Sequence, residues 1–353
     1  MKKIIFALII FCATLFFASC EKDTPTQGGS SHNTDTPDTD VEEPELDNQE
    51  GALSGLFSIN GNGDRVRFAQ GNLQFCFDGR RTAADGSSKQ GVFRFAQNQW
   101  DYIGSLDKGT LPGCDNSKIE AGYPGWVDLL GWATSGYENR SDNHCWFNMP
   151  WSSAGIPTNF DDNYTGYGPS MNMADLNLTG SSANYDWGVY NPITNGGNTP
   201  GQWRLLTNSE WVYLRNLRPH ASEKFATGCI VLSHSDRNDT VRGCIFLPDR
   251  WKLPEGLSFR LMSANGSSNY TDNLYNISQW KQMEAAGAVF LPAGGYRKTN
   301  AVSLVNVGGY YWTSTCFSNS DAYHVYFRHG TLVTDRHTDR WRGQSVRLVH
   351  VNK

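Results

Sequence analysis

The sequence predicts an α+β domain built from many short antiparallel strands, two main helices and long ordered loops. Three observations carry that prediction. From Gly51 onward, short apolar runs alternate with clusters of Gly, Asn, Asp and Ser, and Trp, Tyr and Gly are abundant, which is the pattern of strands joined by turns. Only two stretches carry the spacing and end signals of a helix. The thirty residues before Gly51 are acidic and nearly devoid of large apolar side chains, so they lack the buried surface that would offset chain entropy. No second Pro/Ser/Thr-rich linker follows, so residues 51–353 are expected to form one domain.

At the N-terminus, Lys2 and Lys3 precede an apolar run from Ile4 to Phe17 and small residues before Cys20. Residues 1–19 read as a signal peptide, too short for a stable membrane span. Phe17-Ala18-Ser19-Cys20 resembles a bacterial lipobox, which makes Cys20 the expected lipidation site and the only expected membrane contact. Acyl chains there would contribute about 0.8 kcal/mol per buried CH₂. Glu21-Lys22-Asp23 is similar to the signal that sends such lipoproteins to the cell surface, so the expected location is the surface-exposed side of the outer membrane. Between Glu21 and Glu50 stand ten acidic residues and one Lys. Residues 20–50 are therefore expected to be a disordered, self-repelling stalk with a reach on the order of 30 Å. The chain carries −5 overall, and setting aside +2 from the signal and −9 from the stalk leaves +2 for residues 51–353. A nearly neutral domain gives no reason to expect a nucleic acid partner.

The domain opens with strands at Leu56–Asn60, Arg65–Ala69 and Leu73–Phe77, joined by turns at Gly61-Asn62-Gly63 and Gly71-Asn72, with another at Gly91–Phe95. Aromatic-heavy loops follow. Trp203-Arg204-Leu205 reads as a strand leading into the first helix, where Thr207-Asn208-Ser209-Glu210 is a capping-box pattern and Trp211, Leu214 and Leu217 share a face. Gly228–Leu232 and Gly243–Leu247 read as paired strands. Ser278–Ala286 is the second helix, stopped by Gly287 and followed by a buried strand at Ala288–Leu291.

The final stretch, Gly308 to Val349, sets the functional reading. Tyr310-Tyr311-Trp312 reads as a buried strand, His329-Gly330 as a tight turn, Leu332-Val333 as a short return and Ser345–Val349 as a closing strand. From Ala322 to Phe327 the pattern has period two. Tyr323, Val325 and Phe327 are expected to face the core, while His324, Tyr326 and Arg328 face outward. Between Thr315 and Arg340 there is no Lys, Glu, Gln, Met or Trp. The positions expected to be exposed carry Phe317, Asn319, Asp321, His324, Tyr326, Arg328, His329, Asp335, Arg336, His337 and Asp339, and Trp341 and Arg342 complete the candidate ligand-binding set. Ordinary solvated faces favour Lys and Glu, whereas recognition surfaces favour Tyr, Arg, Asn and Ser.

The phrases YYWTST, AYHVYF and RWRGQSVRLV in this stretch resemble the C-terminal end of C-type-lectin-like domains of the formylglycine-generating-enzyme type, found in Bacteroidetes surface lipoproteins. They also resemble the Fibrobacter succinogenes major paralogous domain. Phe95 to Tyr102, Trp126 to Trp132, Asp186 to Pro192 and Trp203 to Trp211 carry the same resemblance, which covers roughly Leu56 to Val349. It implies a C-type-lectin-like fold in which N- and C-terminal strands pair. Within that group the chain is similar to the variable proteins of diversity-generating retroelements. There, adenine-directed mutagenesis scatters codons that reach Asn, Asp, His, Tyr, Ser or Arg, but never Lys, Glu, Gln, Met or Trp. The resemblance thus implies a non-enzymatic protein gripping an extracellular protein or glycan through this surface. The alternative is a glycan-binding or glycan-processing lipoprotein of a polysaccharide-utilisation system, with Trp side chains as stacking platforms.

Other chemistry is weighed against these readings. The family's namesake oxidase needs two redox-active cysteines, and this region offers Cys316 alone. His324, His329 and His337 fix no coordination geometry, so no metal site is expected. No cofactor is implied, a structural calcium in the loops being left open. Asp161-Asp162 and Asp335 with Asp339 read as turn formers before they read as a glycosidase pair. A disulfide between Cys229 and Cys244 is expected, because they occupy equivalent positions on two strands that should pair in an oxidising compartment. Gly343 to Arg347 is expected to be scaffold, with Arg347 bonded inside the fold.

Overall fold

Among the described residues, sixteen short strands and three α-helices are arranged so that the last strand lies beside the second. The computed structural model describes residues 49–118, 123–137, 177–234, 237–263, 268–298, 300–318 and 320–351. The signal segment, Cys20, the stalk up to Asn48, Asp161-Asp162 and Asn319 lie outside the described residues. In chain order the strands are β1 (Phe57–Ser58), β2 (Arg65–Phe68), β3 (Leu73–Thr82), β4 (Ser88–Phe95), β5 (Trp126–Val127) and β6 (Trp203–Arg204). Then come β7 (Phe225–His234), β8 (Arg237–Phe246), β9 (Leu274–Asn276), β10 (Val289–Pro292), β11 (Tyr296–Lys298) and β12 (Ala301–Ser303). The last four are β13 (Gly308–Cys316), β14 (Asp321–Arg328), β15 (Thr331–Asp339) and β16 (Val349–Val351), and the helices are α1 (Trp187–Tyr190), α2 (Asn208–Val212) and α3 (Ile277–Ala285).

The result is α+β, with small, mostly antiparallel sheets in the orders β1-β2-β16-β6, β10-β8-β7-β9, β4-β3-β5, β13-β14-β15 and β11-β12. β16 pairs antiparallel with β2 on one edge and with β6 on the other, closing the two ends of the domain on each other. The strand β9 is parallel to β7.

Local chemistry explains the helix boundaries. Thr207 accepts from the Glu210 N–H while the Glu210 side chain accepts from the Thr207 N–H, forming the capping box the sequence predicts. Only five residues follow as α2 before the backbone widens into a π-turn at Tyr213–Leu217. Asn276 and Gln279 cap α3 in the same reciprocal way. It ends at Gly287, whose φ of +93° and 2.8 Å clearance to the Gly55 Cα exclude a side chain.

Three clusters of buried side chains form the core. Six tryptophans, Trp132, Trp187, Trp203, Trp211, Trp280 and Trp312, are almost wholly buried. The indole N–H groups of Trp132, Trp203 and Trp312 donate to the carbonyls of Thr313, Gly196 and Leu130, so those rings also order loop backbone. Arg347, 1 % exposed, donates to the Ala69 and Phe290 carbonyls and to Asn72 Oδ1. Burial lowers its pKa to about 10, and its bonds tie the C-terminal segment to the first strands.

The expected Cys229–Cys244 bridge is not formed: both are buried free thiols. The strands pair as predicted, but Cys229 stands opposite Arg242 and Cys244 opposite Thr227. Diagonal cross-strand neighbours are about 7–8 Å apart, beyond disulfide reach.

Candidate functional site

The three-stranded sheet β13-β14-β15 gathers most of the residues predicted to bind ligand. Pairing with β13 sets Tyr310 opposite Tyr326, Tyr311 opposite Val325 and Trp312 opposite His324. Pairing with β15 sets Asp321 opposite Asp339, Tyr323 opposite His337, His324 opposite Arg336 and Phe327 opposite Leu332. Opposed residues point to the same side, so these registers sort the candidates onto two faces.

The first face is the one that buries Tyr311, Val325, Phe327 and Leu332 against Trp211 and Leu214. Gly309 lies opposite Phe327, and a Cβ there would fall 2.1 Å from the ring, so only glycine leaves the ring its place. Towards the start of β14 this face runs out of core. Tyr323, expected inside, is half-exposed there. Phe317, 43 % exposed, stacks on the His337 ring at 3.6 Å between centroids. Tyr323 meets the Phe317 ring edge-on at 5.3 Å. Asp321 and Asp339 would repel each other across the strands, but each has a hydrogen-bonding partner. His337 Nδ1 lies 2.8 Å from Asp321 Oδ2, and Arg342 Nε donates to Asp339 Oδ2 at 2.9 Å.

The second face carries Tyr310, Tyr326, Arg328 and Arg336. Tyr310 and Tyr326 have ring centroids 5.0 Å apart. Tyr296 of β11 adds a third ring, 5.0 Å from Tyr310 and steeply inclined to it. The Arg342 guanidinium sits 5.8 Å from the Tyr296 ring. Burial, and then the neighbouring Tyr326 and Tyr296, push the Tyr310 hydroxyl upward, which keeps it protonated.

His324 corrects the sequence reading. It points to the second face as the alternation predicts, but it is 6 % exposed, with the Tyr310 and Trp312 rings at 5.9 and 6.2 Å. The bulky neighbours on β13 cover it, which the alternation of one strand cannot reveal. Burial, and after it the charges of His337, Arg342 and Arg336, push its pKa down to about 3. It is a neutral imidazole, and its Nδ1 has no hydrogen-bond partner among the described residues.

The remaining candidates are dispersed. His329 occupies the turn before Gly330, whose φ of +62° suits glycine, and its ring bonds to Asn269. Asp335 is exposed in a bulge of β15, where two residues oppose Val325 and the ladder skips. Trp341 is half-buried against the first core cluster. Cys316 is buried, and its thiol donates to the Ser318 carbonyl. Tyr296, Tyr310 and Tyr323 belong to the surface but not to the predicted set. Tyr310 was concealed in a run read as uniformly buried, although it shares the side of Trp312 and not that of Tyr311. For Tyr296 the local sequence offers no signal; the bridge between Gly295 and Gly309 brings it alongside.

Elsewhere, a cleft of about 480 Å³ lies between the loop at Asp107–Pro112, Arg242 and Asn306. Compared with protein-family models, curated proteins and solved structures, the chain matches none.

Proposed function

We propose that the chain is a lipid-anchored cell-surface protein that binds an extracellular ligand, without catalysis, through the C-terminal sheet β13-β14-β15. The observation that carries this reading is the residue content of the open register positions. In β14 and β15 they hold Tyr, Arg, His, Asp and Thr with one Val, and no Lys or Glu, while the buried positions hold the alanine, valine, leucine and phenylalanine of the core together with His324 and Thr334. Aromatic and arginine side chains supply contact area and directed hydrogen bonds, and a sheet holds them in fixed register. A C-type-lectin-like fold is part of the proposal, supported by the closure of β16 between β2 and β6. Anchoring through Cys20 rests on the sequence. Sugar stacking on Trp side chains has less support, because Trp132, Trp187 and Trp211 are all within 1 % of complete burial and Trp100 is 6 % exposed.

The test is to sequence the 3′ end of the gene and its flanks across related isolates. The expected result is an imperfect copy of codons 312–349 that differs mainly at adenines, with variation at positions 321, 323, 326, 328, 336 and 337 and constancy at 322, 325 and 327. Variation spread evenly over exposed and buried positions would refute the reading.

A further inference from the structure

We propose that the second face of the C-terminal sheet docks an acidic polypeptide surface, with Arg328 and Arg336 each taking a carboxylate; this rests on the reading of the sheet as the binding surface. Three observations lead there. Arg328 and Arg336 both occupy ladder positions on this face, opposite Thr331 and His324, both are exposed, and neither has a carboxylate partner among the described residues. The acidic residues of the sheet are placed elsewhere. Asp321 and Asp339 occupy ladder positions of the other face, bonded to His337 and Arg342, and the bulge takes Asp335 out of the ladder. Between the arginines lie Tyr326 and Tyr310, with ring centroids 5.0 Å apart.

Among the described residues, the ladder positions of this face are therefore rich in donors and hold no charged acceptor. Its complement is a surface rich in acceptors, and the guanidinium fork suits a carboxylate held in two parallel bonds. A neutral glycan fits less well, since its hydroxyls also need acceptors and, among the described residues, no carboxylate occupies a ladder position on this face. The rings are half-buried and inclined to one another, so none presents an open platform for a sugar. Tyr and Arg together are the residues that dominate protein–protein contacts.

The full-length chain, immobilised through its N-terminus, would be titrated with a random Glu/Tyr copolymer, a neutral Ser/Tyr copolymer and heparin, at low and moderate salt. The expected result is that the Glu/Tyr copolymer binds more tightly than either other probe, and that R328S/R336S weakens it at least tenfold with an unchanged melting temperature. R328K/R336K should recover only part of the loss, because lysine keeps the charge and not the fork. If the Glu/Tyr copolymer fails to bind, or binds the double variant equally well, the proposal is overturned. Tighter heparin binding that depends on the same arginines would overturn it in favour of an anionic glycan. Binding of the neutral copolymer that is lost in Y310S/Y326S but indifferent to the arginines would overturn the acidic partner while leaving the sheet as the binding surface.

Discussion

Along β14, Phe327 is wholly buried and Val325 is wholly buried, whereas Tyr326 between them is half-exposed and Arg328 just beyond is exposed. Consecutive residues of one strand thus serve two purposes, and the pleat divides them. The buried side packs against Trp211 and Leu214 and meets a glycine on β13. On the open side Tyr326 meets Tyr310 of its own surface, and Arg328 is exposed. Substitutions on the first side should therefore be felt as stability, and those on the second as recognition. That separation lets a binding surface vary without unfolding its scaffold.

The largest effect should come from Phe327→Ala. Truncating a buried phenylalanine typically costs about 3–5 kcal/mol, measured here as a shifted denaturant midpoint. Tyr326→Ser, one residue away, should cost less than about 1.5 kcal/mol, the scale of an aromatic pair contact. Equal losses at the two positions would break the contrast. The same contact can be attacked from the opposite strand. Gly309→Ala places a methyl 2.1 Å from the Phe327 ring, and such overpacking costs about 1–3 kcal/mol.

How far the sequence reveals this division depends on where the determinants lie. The alternation at Val325, Tyr326, Phe327 and Arg328 is local, and so are the capping boxes and the Gly287 stop, so these are legible from residue order. What covers a residue from a neighbouring strand is not local. His324 follows the outward phase, but Trp312 and Tyr310 on β13 roof it over. Tyr323 follows the inward phase, but the core ends before reaching it. Strand register has the same character: Cys229 and Cys244 lie on paired strands as expected, and a two-residue offset separates them. The third tyrosine of the second face, Tyr296, arrives from a different sheet and leaves no trace in the stretch it joins.

His324 sharpens the comparison through pH, because it is an ionisable group on the recognition side that behaves as core. Its folded pKa, about 3, lies below the unfolded value of about 6.5. The folded state therefore disfavours the protonated form. Stability is fully present above pH 6.5 and falls as the pH drops towards 3, by on the order of a few kcal/mol. His324→Phe removes both the titration and the unpartnered Nδ1, so the variant should lose less stability than the parent between pH 6.5 and pH 4. Two buried carboxylates act in the opposite direction. Burial raises Asp186 to about 7 and Asp128 to about 6. Their contribution is fully present below pH 4 and is lost as the pH rises through those values. His324 is thus isolated by comparing the variant with the parent at each pH and not by the shape of one curve. Identical acid limbs in the two proteins would mean that the imidazole does not resist protonation.

The smallest effects should come from the charges at the open end of the first face, where geometry is good but solvent is near. The His337 and Asp321 side chains are 41 % and 21 % exposed, and those of Arg342 and Asp339 are 29 % and 37 % exposed. Exposed pairs of this kind contribute about 0–1 kcal/mol and are screened by salt. Their sign can still be read, because Asp321 and Asp339 stand directly opposite each other. Asp339→Asn alone removes both a repulsion and an attraction, so its net effect should be near zero. In an Arg342→Ala background only the repulsion remains, and Asp339→Asn should then stabilise, by up to about 0.5 kcal/mol at low salt and less at high salt. A double-mutant cycle at two salt concentrations measures that change of sign. If Asp339→Asn destabilises equally in both backgrounds, the Arg342–Asp339 contact does not offset the facing carboxylates, and this end of the sheet is held by the Phe317–His337 stack instead.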